Sequence, residues 1–145
     1  MTNQSTMDPG RQPQHGQQGG VPFPEGWGDD WEYDSRHRNI IGRLDSMIKL
    51  LRQYPGRNLT VEIDDLLDAM LDQCCPENSY LELVQFPRAA GHALRHRVIC
   101  SLAAKLSYRT RKVGVVQVGE LEYLRLIWLE HIDLHDRAFE EFLAS

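Results

Sequence analysis

The stretch PRAAGHALRHRVICSLAAKL, residues 87–106, decides the fold predicted for this chain. Its apolar residues recur at the three- and four-residue spacing of a single helix face. His92 and His96 fall on the same stripe, so both imidazoles point to one side of the helix. If that face is the core, both rings are buried and need polar partners. Those partners have to come from the other helices.

The composition favours a soluble globular protein. Of the 145 residues, 41% are hydrophobic and 26% are charged, and the length suits one domain. The net charge is −5 and no basic stripe stands out in the sequence. Both observations disfavour a nucleic-acid partner. No apolar run reaches the ~18 residues that a membrane span needs. The three cysteines and the lack of a signal-peptide pattern predict reduced thiols in the cytoplasm. No sequence feature identifies a protein partner.

The chain divides into a tail and a helical domain. Residues 1–25 are rich in Gln, Gly and Pro and poor in aliphatic residues, which predicts a disordered tail. Residues 26–145 are predicted to be all-α, because they contain four stretches of helical periodicity and no useful strand pattern. Short connections between four amphipathic helices predict an up-down-up-down antiparallel four-helix bundle.

The predicted helices have recognisable ends. The first runs from about residue 34 to Tyr54, and the second from Thr60 until just before Pro87. The third begins at Pro87 and gives way to a loop at residues 109–114. The fourth is a single helix from about Val118 to Leu143.

Each predicted helix carries ionisable residues on its apolar stripe. One such residue alone is typical of a hydrogen-bonded core position, but six together indicate mutual compensation or a bound cation. In an antiparallel bundle all six lie toward the same end. Imidazoles combined with carboxylates inside such a bundle suit a dinuclear iron centre. The predicted metal ligands are His37, Glu77, His92, His96, His131 and Asp136.

The segments that carry these residues resemble the hemerythrin family, and in particular the bacterial hemerythrins. The matching motifs are YDSRH at 33–37, HALRH at 92–96 and WLEHIDLHD at 128–136. Glu77 lies 15 residues before His92, as the family's bridging glutamate precedes its histidine pair. The resemblance extends from about Trp27 to Leu143 and is most specific in the last motif.

The resemblance implies a site with two iron ions. In that arrangement His92, His96 and His131 hold one ion, His37 serves the other, and Glu77 and Asp136 bridge them. It also implies reversible binding of dioxygen, or sensing of oxygen or nitric oxide. Because no nucleophile and base pair is visible in the sequence, we do not expect an enzyme.

The sequence departs from the family pattern at several residues. Gln73 occupies the position four before Glu77, where the family has a histidine. The resemblance therefore implies either one or two bound iron ions. Pro76 is expected to kink or restart the second helix, and either event could turn Glu77 away from the site. His135 is an additional histidine, either a substitute ligand or a residue at the rim of the site. Gln73 and Pro76 motivate an alternative function, a metal-free helical bundle that serves as an interaction or scaffold module.

Overall fold

The computed structural model describes the backbone of residues 30–145 and the side chains of residues 37–145, except that of Asp136. The predicted tail, residues 1–25, lies outside the described residues. The described chain is helical and contains no strand, so the all-α prediction is confirmed. Its elements are α1 (Asp30–Gln53), α2 (Thr60–Leu83), α3 (Ala89–Val113), α4 (Val118–His131), a π-helical turn (Ile132–Asp136) and α5 (Arg137–Ala144).

The four long helices pack as a bundle. Helix α1 contacts α2 and α4, and α3 contacts the same two helices. Ion pairs on the surface join these neighbours: Arg125 Nε donates to Asp45 Oδ1 at 2.6 Å between α4 and α1. Arg111 pairs with Asp64 between α3 and α2. Among the helices of the described chain, none combines the length and apolarity required to cross a membrane.

Buried apolar residues form two separate clusters. The larger is mostly aliphatic and fills the bundle along α1, α2, α3 and α4, with Leu44, Ile63 and Leu121 fully buried. Burying one such side chain contributes about 1.5–3 kcal/mol, so this cluster supplies most of the stabilisation of the fold. The smaller cluster is largely aromatic. It contains Tyr80, Leu81, Phe86, Phe139 and Leu143.

Helix α3 is longer than predicted, and the expected loop at residues 109–114 is wrong. The helix continues to Val113, and Thr110 is fully buried with its hydroxyl donating to the carbonyl of Leu106 at 2.7 Å. It ends at Gly114, whose φ of 83° lies in the left-handed region and whose N–H donates to the carbonyl of Thr110. Glycine adopts this conformation at little cost and commonly ends a helix. At its other end, α3 begins at Ala89 rather than Pro87.

Pro76 neither interrupts nor restarts α2, contrary to the sequence-based expectation. The helix runs continuously from Thr60 to Leu83, and Glu77 is buried. A proline inside a helix removes one backbone hydrogen bond and crowds the preceding turn. Here Gln73, Cys74 and Tyr80 are also buried around it, so tertiary packing on both sides offsets that cost.

The predicted fourth helix is also corrected, because a π-helical turn divides it into α4 and α5. The N–H of Arg137 donates to the carbonyl of Ile132, a five-residue span in place of the usual four. Such turns insert an extra residue into a helix and occur often beside functional sites. The turn begins immediately after His131, a fully buried polar residue.

Candidate metal centre

Four buried side chains from three helices converge in the described part of the chain. Glu77 comes from α2, His92 and His96 from α3, and His131 from α4. Their potential ligand atoms all lie within 4.8 Å of one another. None of the four residues is more than 3% exposed. The structure therefore brings together four of the six residues that the sequence pattern selected.

The ring nitrogens and the carboxylate are in direct contact. Glu77 Oε1 lies 2.8 Å from His92 Nε2 and 3.0 Å from His96 Nε2. His96 Nε2 lies 2.9 Å from His131 Nε2. All three imidazole rings are also close, with centroids 4.5 to 4.9 Å apart. One carboxylate thus shares a small volume with three imidazoles.

Asn78 fixes the orientation of His96. The distance between His96 Nδ1 and Asn78 Oδ1 is 2.7 Å, and because an amide oxygen only accepts, Nδ1–H is the donor. This tautomer leaves the lone pair of His96 Nε2 directed into the cluster. Burial lowers the pKa of His96, although the hydrogen bond and charge of Glu77 act in the opposite direction. A neutral imidazole held through its second nitrogen is the form that binds metals.

The four residues form a polar layer between the two apolar clusters. Along α2, Cys74 belongs to the larger cluster and Tyr80 to the smaller, with Glu77 between them. Phe86, three residues before the start of α3, belongs to the smaller cluster, and Ile99 on α3 belongs to the larger, so His92 and His96 also lie between the two clusters. The rings of Phe86 and Phe139 each lie 6.5 Å from that of His92. These apolar walls exclude water and strengthen every electrostatic interaction inside.

His37 is buried on α1 but does not belong to the group of four. Its ring centroid lies 6.0 Å from that of Trp128, which in turn lies 5.9 Å from His131. Gln73 is buried as well, at 5% exposure. The side chain of Asp136, the sixth predicted ligand, lies outside the described residues. A second ion at His37 therefore stays a prediction of the family resemblance.

His135 lies at the rim of the layer. It is partly buried, and its ring stacks on that of His131 with centroids 5.5 Å apart and an angle of 19°. Arg95 Nε approaches His135 Nε2 at 3.5 Å. His135 is outside the group of four, which agrees with its interpretation as a rim residue.

The donor set fits a divalent transition metal. Three imidazole nitrogens and one carboxylate oxygen suit iron, zinc and neighbouring metals, whereas magnesium and calcium prefer oxygen alone. Four donors about 2.1 Å from one ion stand roughly 3.4 Å apart in a tetrahedron. The three donor contacts here span 2.8 to 3.0 Å. Small side-chain rotations would therefore open enough space for one ion.

Asn78 is the site residue that sequence reasoning missed. It lies on the flank of α2 beside Glu77, partly exposed, so its position on the helix carries no signal of burial. A rule that metal-binding histidines need a second hydrogen-bond acceptor predicts that such a residue exists, but not which one it is.

Comparison of the chain with protein-family models, with curated proteins and with solved structures gives no match.

Proposed function

We propose that the protein binds a transition-metal ion through Glu77, His92, His96 and His131. The observation that carries this proposal is the burial of all four groups with their ligand atoms within 4.8 Å. His96 Nε2 directs a lone pair toward Glu77 Oε1, which also carries lone pairs, at 3.0 Å. Only a proton or a cation at this position turns that contact from repulsion into attraction. A metal ion satisfies all four groups at once.

Iron is the proposed metal, and dioxygen or nitric oxide the proposed ligand. The resemblance to hemerythrins motivates both, and the donor set is compatible with iron. Four protein donors leave coordination positions open on an ion that accepts five or six ligands. Iron bound here would supply affinity for a small diatomic gas. The apolar side chains around the layer would admit such a gas more readily than a polar metabolite.

The proposed bundle has the up-down-up-down antiparallel order of a hemerythrin-like fold. The contacts between α3 and α4 support this order: Arg95 pairs with Glu130 near one end, and Arg109 pairs with Glu120 near the other. Residue numbers thus rise along α3 as they fall along α4. The pairs between α1 and α4 follow the same rule, since Asp45 pairs with Arg125 and Arg52 with Glu122. Short connections between successive helices are compatible with this arrangement.

Metal content is the measurement that tests the site. Protein expressed with added iron is analysed for metal per chain, together with His131→Ala and the matched control His135→Ala. We expect about one ion in the parent and in the control, and a loss of bound metal in His131→Ala. Circular dichroism verifies that the helices persist in all three proteins. Equal metal content in all three would refute the assignment of His131.

Gas binding needs a separate readout. The reduced, iron-loaded protein is exposed to dioxygen and then, in a second sample, to nitric oxide, and its absorption spectrum is followed. A reversible spectral change supports a carrier or sensor. A spectrum that neither gas alters would leave metal binding intact and reject the gas-binding function.

The second candidate function is a metal-free interaction or scaffold module. Gln73 favours it, because a buried amide stands where a hemerythrin has a ligand. The variant Gln73→His distinguishes the two functions. A rise from about one toward two irons per chain, with helicity unchanged, would show that the native site is partly disabled. No iron in either the parent or this variant would favour the scaffold.

A further inference from the structure

Two cysteines face each other one helical turn from the polar layer. Cys74 precedes Glu77 by three residues on α2, and Cys100 follows His96 by four residues on α3. Residues three or four apart lie on the same helix face. Since Glu77 and His96 are in contact, the next turn of each helix brings Cys74 and Cys100 together, provided that the helices run in opposite directions.

The contacts along α2 and α3 meet that condition. At one end of the pair Glu77 contacts His92 and His96, and at the other Asp64 hydrogen-bonds to Ser107 and pairs with Arg111. The residue numbers fall on α2 as they rise on α3. A position three before Glu77 is therefore opposite a position about four after His96.

The two thiols are in contact and differ in accessibility. Cys74 is buried at 2% exposure within the larger apolar cluster, whereas Cys100 is partly exposed. Neither is in a disulfide. The side chain of Cys74 hydrogen-bonds to Cys100 and holds the pKa of the Cys100 thiol below its usual value, although burial opposes this shift. Lowered thiol pKa and partial exposure are the two features of cysteines that react with oxidants.

We propose that Cys74 and Cys100 form a site of oxidation by hydrogen peroxide, which converts them into a disulfide that links α2 to α3. This link would join the two helices that supply Glu77, His92 and His96, one turn from the proposed metal. The proposal does not depend on metal binding.

The reaction proceeds in two balanced steps. The Cys100 thiolate attacks one oxygen of hydrogen peroxide, the O–O bond breaks, and the departing hydroxide takes up the thiol proton to leave as water. The Cys74 thiolate then attacks the sulfur of the resulting sulfenic acid, and its S–O bond breaks. The second water leaves with the proton of Cys74. The two thiols lose two electrons in total, and the peroxide gains them.

Formation of the disulfide starts from thiols that are already in hydrogen-bond contact. The sulfur atoms have to close from hydrogen-bond contact to about 2.05 Å. Pro76, two residues after Cys74, removes one backbone hydrogen bond from α2. The helix is therefore locally easier to shift at this turn than at any turn with its full set of bonds. Cys75 is exposed and adjacent to Cys74, which makes it the natural internal control.

Peptide mapping after peroxide treatment tests the proposal. The full chain, in buffer with a chelator, is treated with hydrogen peroxide, alkylated in denaturant and digested with trypsin. We expect two of the three thiols to be lost and the mass to fall by about 2 Da. The segment after Arg57 should be joined to the segment after Arg97. Because Cys74 and Cys75 share a tryptic segment, the same map of Cys75→Ser assigns the link.

The variants Cys74→Ser and Cys100→Ser should each lose the intramolecular link, while Cys75→Ser should keep it. The map of the parent protein is decisive even if a serine variant folds poorly. A link that contains Cys75, or oxidation of Cys75 while Cys74 and Cys100 are both alkylated, would overturn the proposal. So would a Cys100 that takes up oxygen without forming a link.

Discussion

The larger apolar cluster and the polar layer occupy neighbouring turns of the same helices but depend on different physical terms. The cluster around Leu66 and Leu121 is stabilised by removing apolar surface from water, a contribution that does not depend on direction. The polar layer buries Glu77 and three histidines, a costly arrangement unless each group finds a partner. The cluster therefore sets the stability of the fold, and the layer sets what the fold can bind. Substitutions in the cluster should therefore change mainly the free energy of unfolding, and substitutions in the layer mainly the metal affinity.

Shortening Leu66 in the larger cluster should produce the largest effect on stability. The side chain is fully buried, so Leu66→Ala should reduce the free energy of unfolding by about 2–5 kcal/mol. Leu66 lies 11 residues before Glu77, roughly 16 Å along the helix, so metal affinity should stay unchanged. Urea unfolding of the metal-free protein measures the first quantity, and metal titration of the folded variant measures the second.

The matched control is Leu83→Ala at the end of the same helix, where the side chain is 65% exposed. It should alter the free energy of unfolding by less than about 0.5 kcal/mol. Equal losses from Leu66→Ala and Leu83→Ala would contradict the assignment of Leu66 to the core.

Neutralising Glu77 should have the opposite effect to Leu66→Ala, a large loss of metal affinity with a small loss of stability. Glu77→Gln keeps the size of the side chain but removes the only acidic ligand in the described group, so metal affinity should fall by at least about 100-fold. The metal-free chain should lose far less stability than Leu66→Ala does, because the substitution removes a buried charge that is costly to desolvate and leaves an amide that still hydrogen-bonds to the imidazoles. Isothermal titration with cobalt or zinc gives the affinity. Glu130→Gln, at an exposed carboxylate nearby, should leave it unchanged; an equal fall there would indicate a general charge effect.

The contrast between the two regions also explains what could be predicted from the sequence. Apolar periodicity located the larger cluster, because burial of Leu, Ile and Met depends only on which helix face they share. The convergence of Glu77 with three histidines followed from placing ionisable residues on those faces. Both inferences required only the helical period, and neither required side-chain conformations.

Features in which tertiary contacts override local backbone preferences were predicted less well. The polar run at 109–112 lacks apolar periodicity, yet Thr110 is buried and α3 continues through it to Gly114. The expected break at Pro76 is absent because packing around Glu77 outweighs one lost hydrogen bond. The π-helical turn after His131 has no sequence signature of its own. In each case the outcome depends on tertiary contacts that a single helix does not reveal.

Removing the side chain of Asn78 should weaken metal binding without removing a ligand. Asn78→Ala takes away the acceptor for His96 Nδ1–H, so the ring loses both its orientation and its preferred tautomer. Losses of this kind reduce metal affinity by about 10–100-fold. Isothermal titration with cobalt or zinc measures this affinity. The control is Asn39→Ala, at an exposed asparagine of α1 that accepts a hydrogen bond from Arg43. Unchanged affinity in Asn78→Ala would show that His96 needs no such support.

The smallest effect is expected at the end of α2 far from the polar layer, where Asp64 joins α3. The hydroxyl of Ser107 and the guanidinium of Arg111 both donate to this carboxylate and hold the pKa of Asp64 below its usual value of 3.8. A lowered carboxyl pKa adds stability that is complete above pH 3.8 and is lost as the pH falls through the lower value in the folded state.

Ser107→Ala should therefore reduce the free energy of unfolding by about 1 kcal/mol at neutral pH, and the difference from the parent should shrink below pH 3.8. Chemical unfolding at several pH values measures this difference, with Ser101→Ala at an exposed position of α3 as control. A difference that stays constant between pH 7 and pH 3 would assign the loss to the cavity left by the serine rather than to the ionised carboxylate.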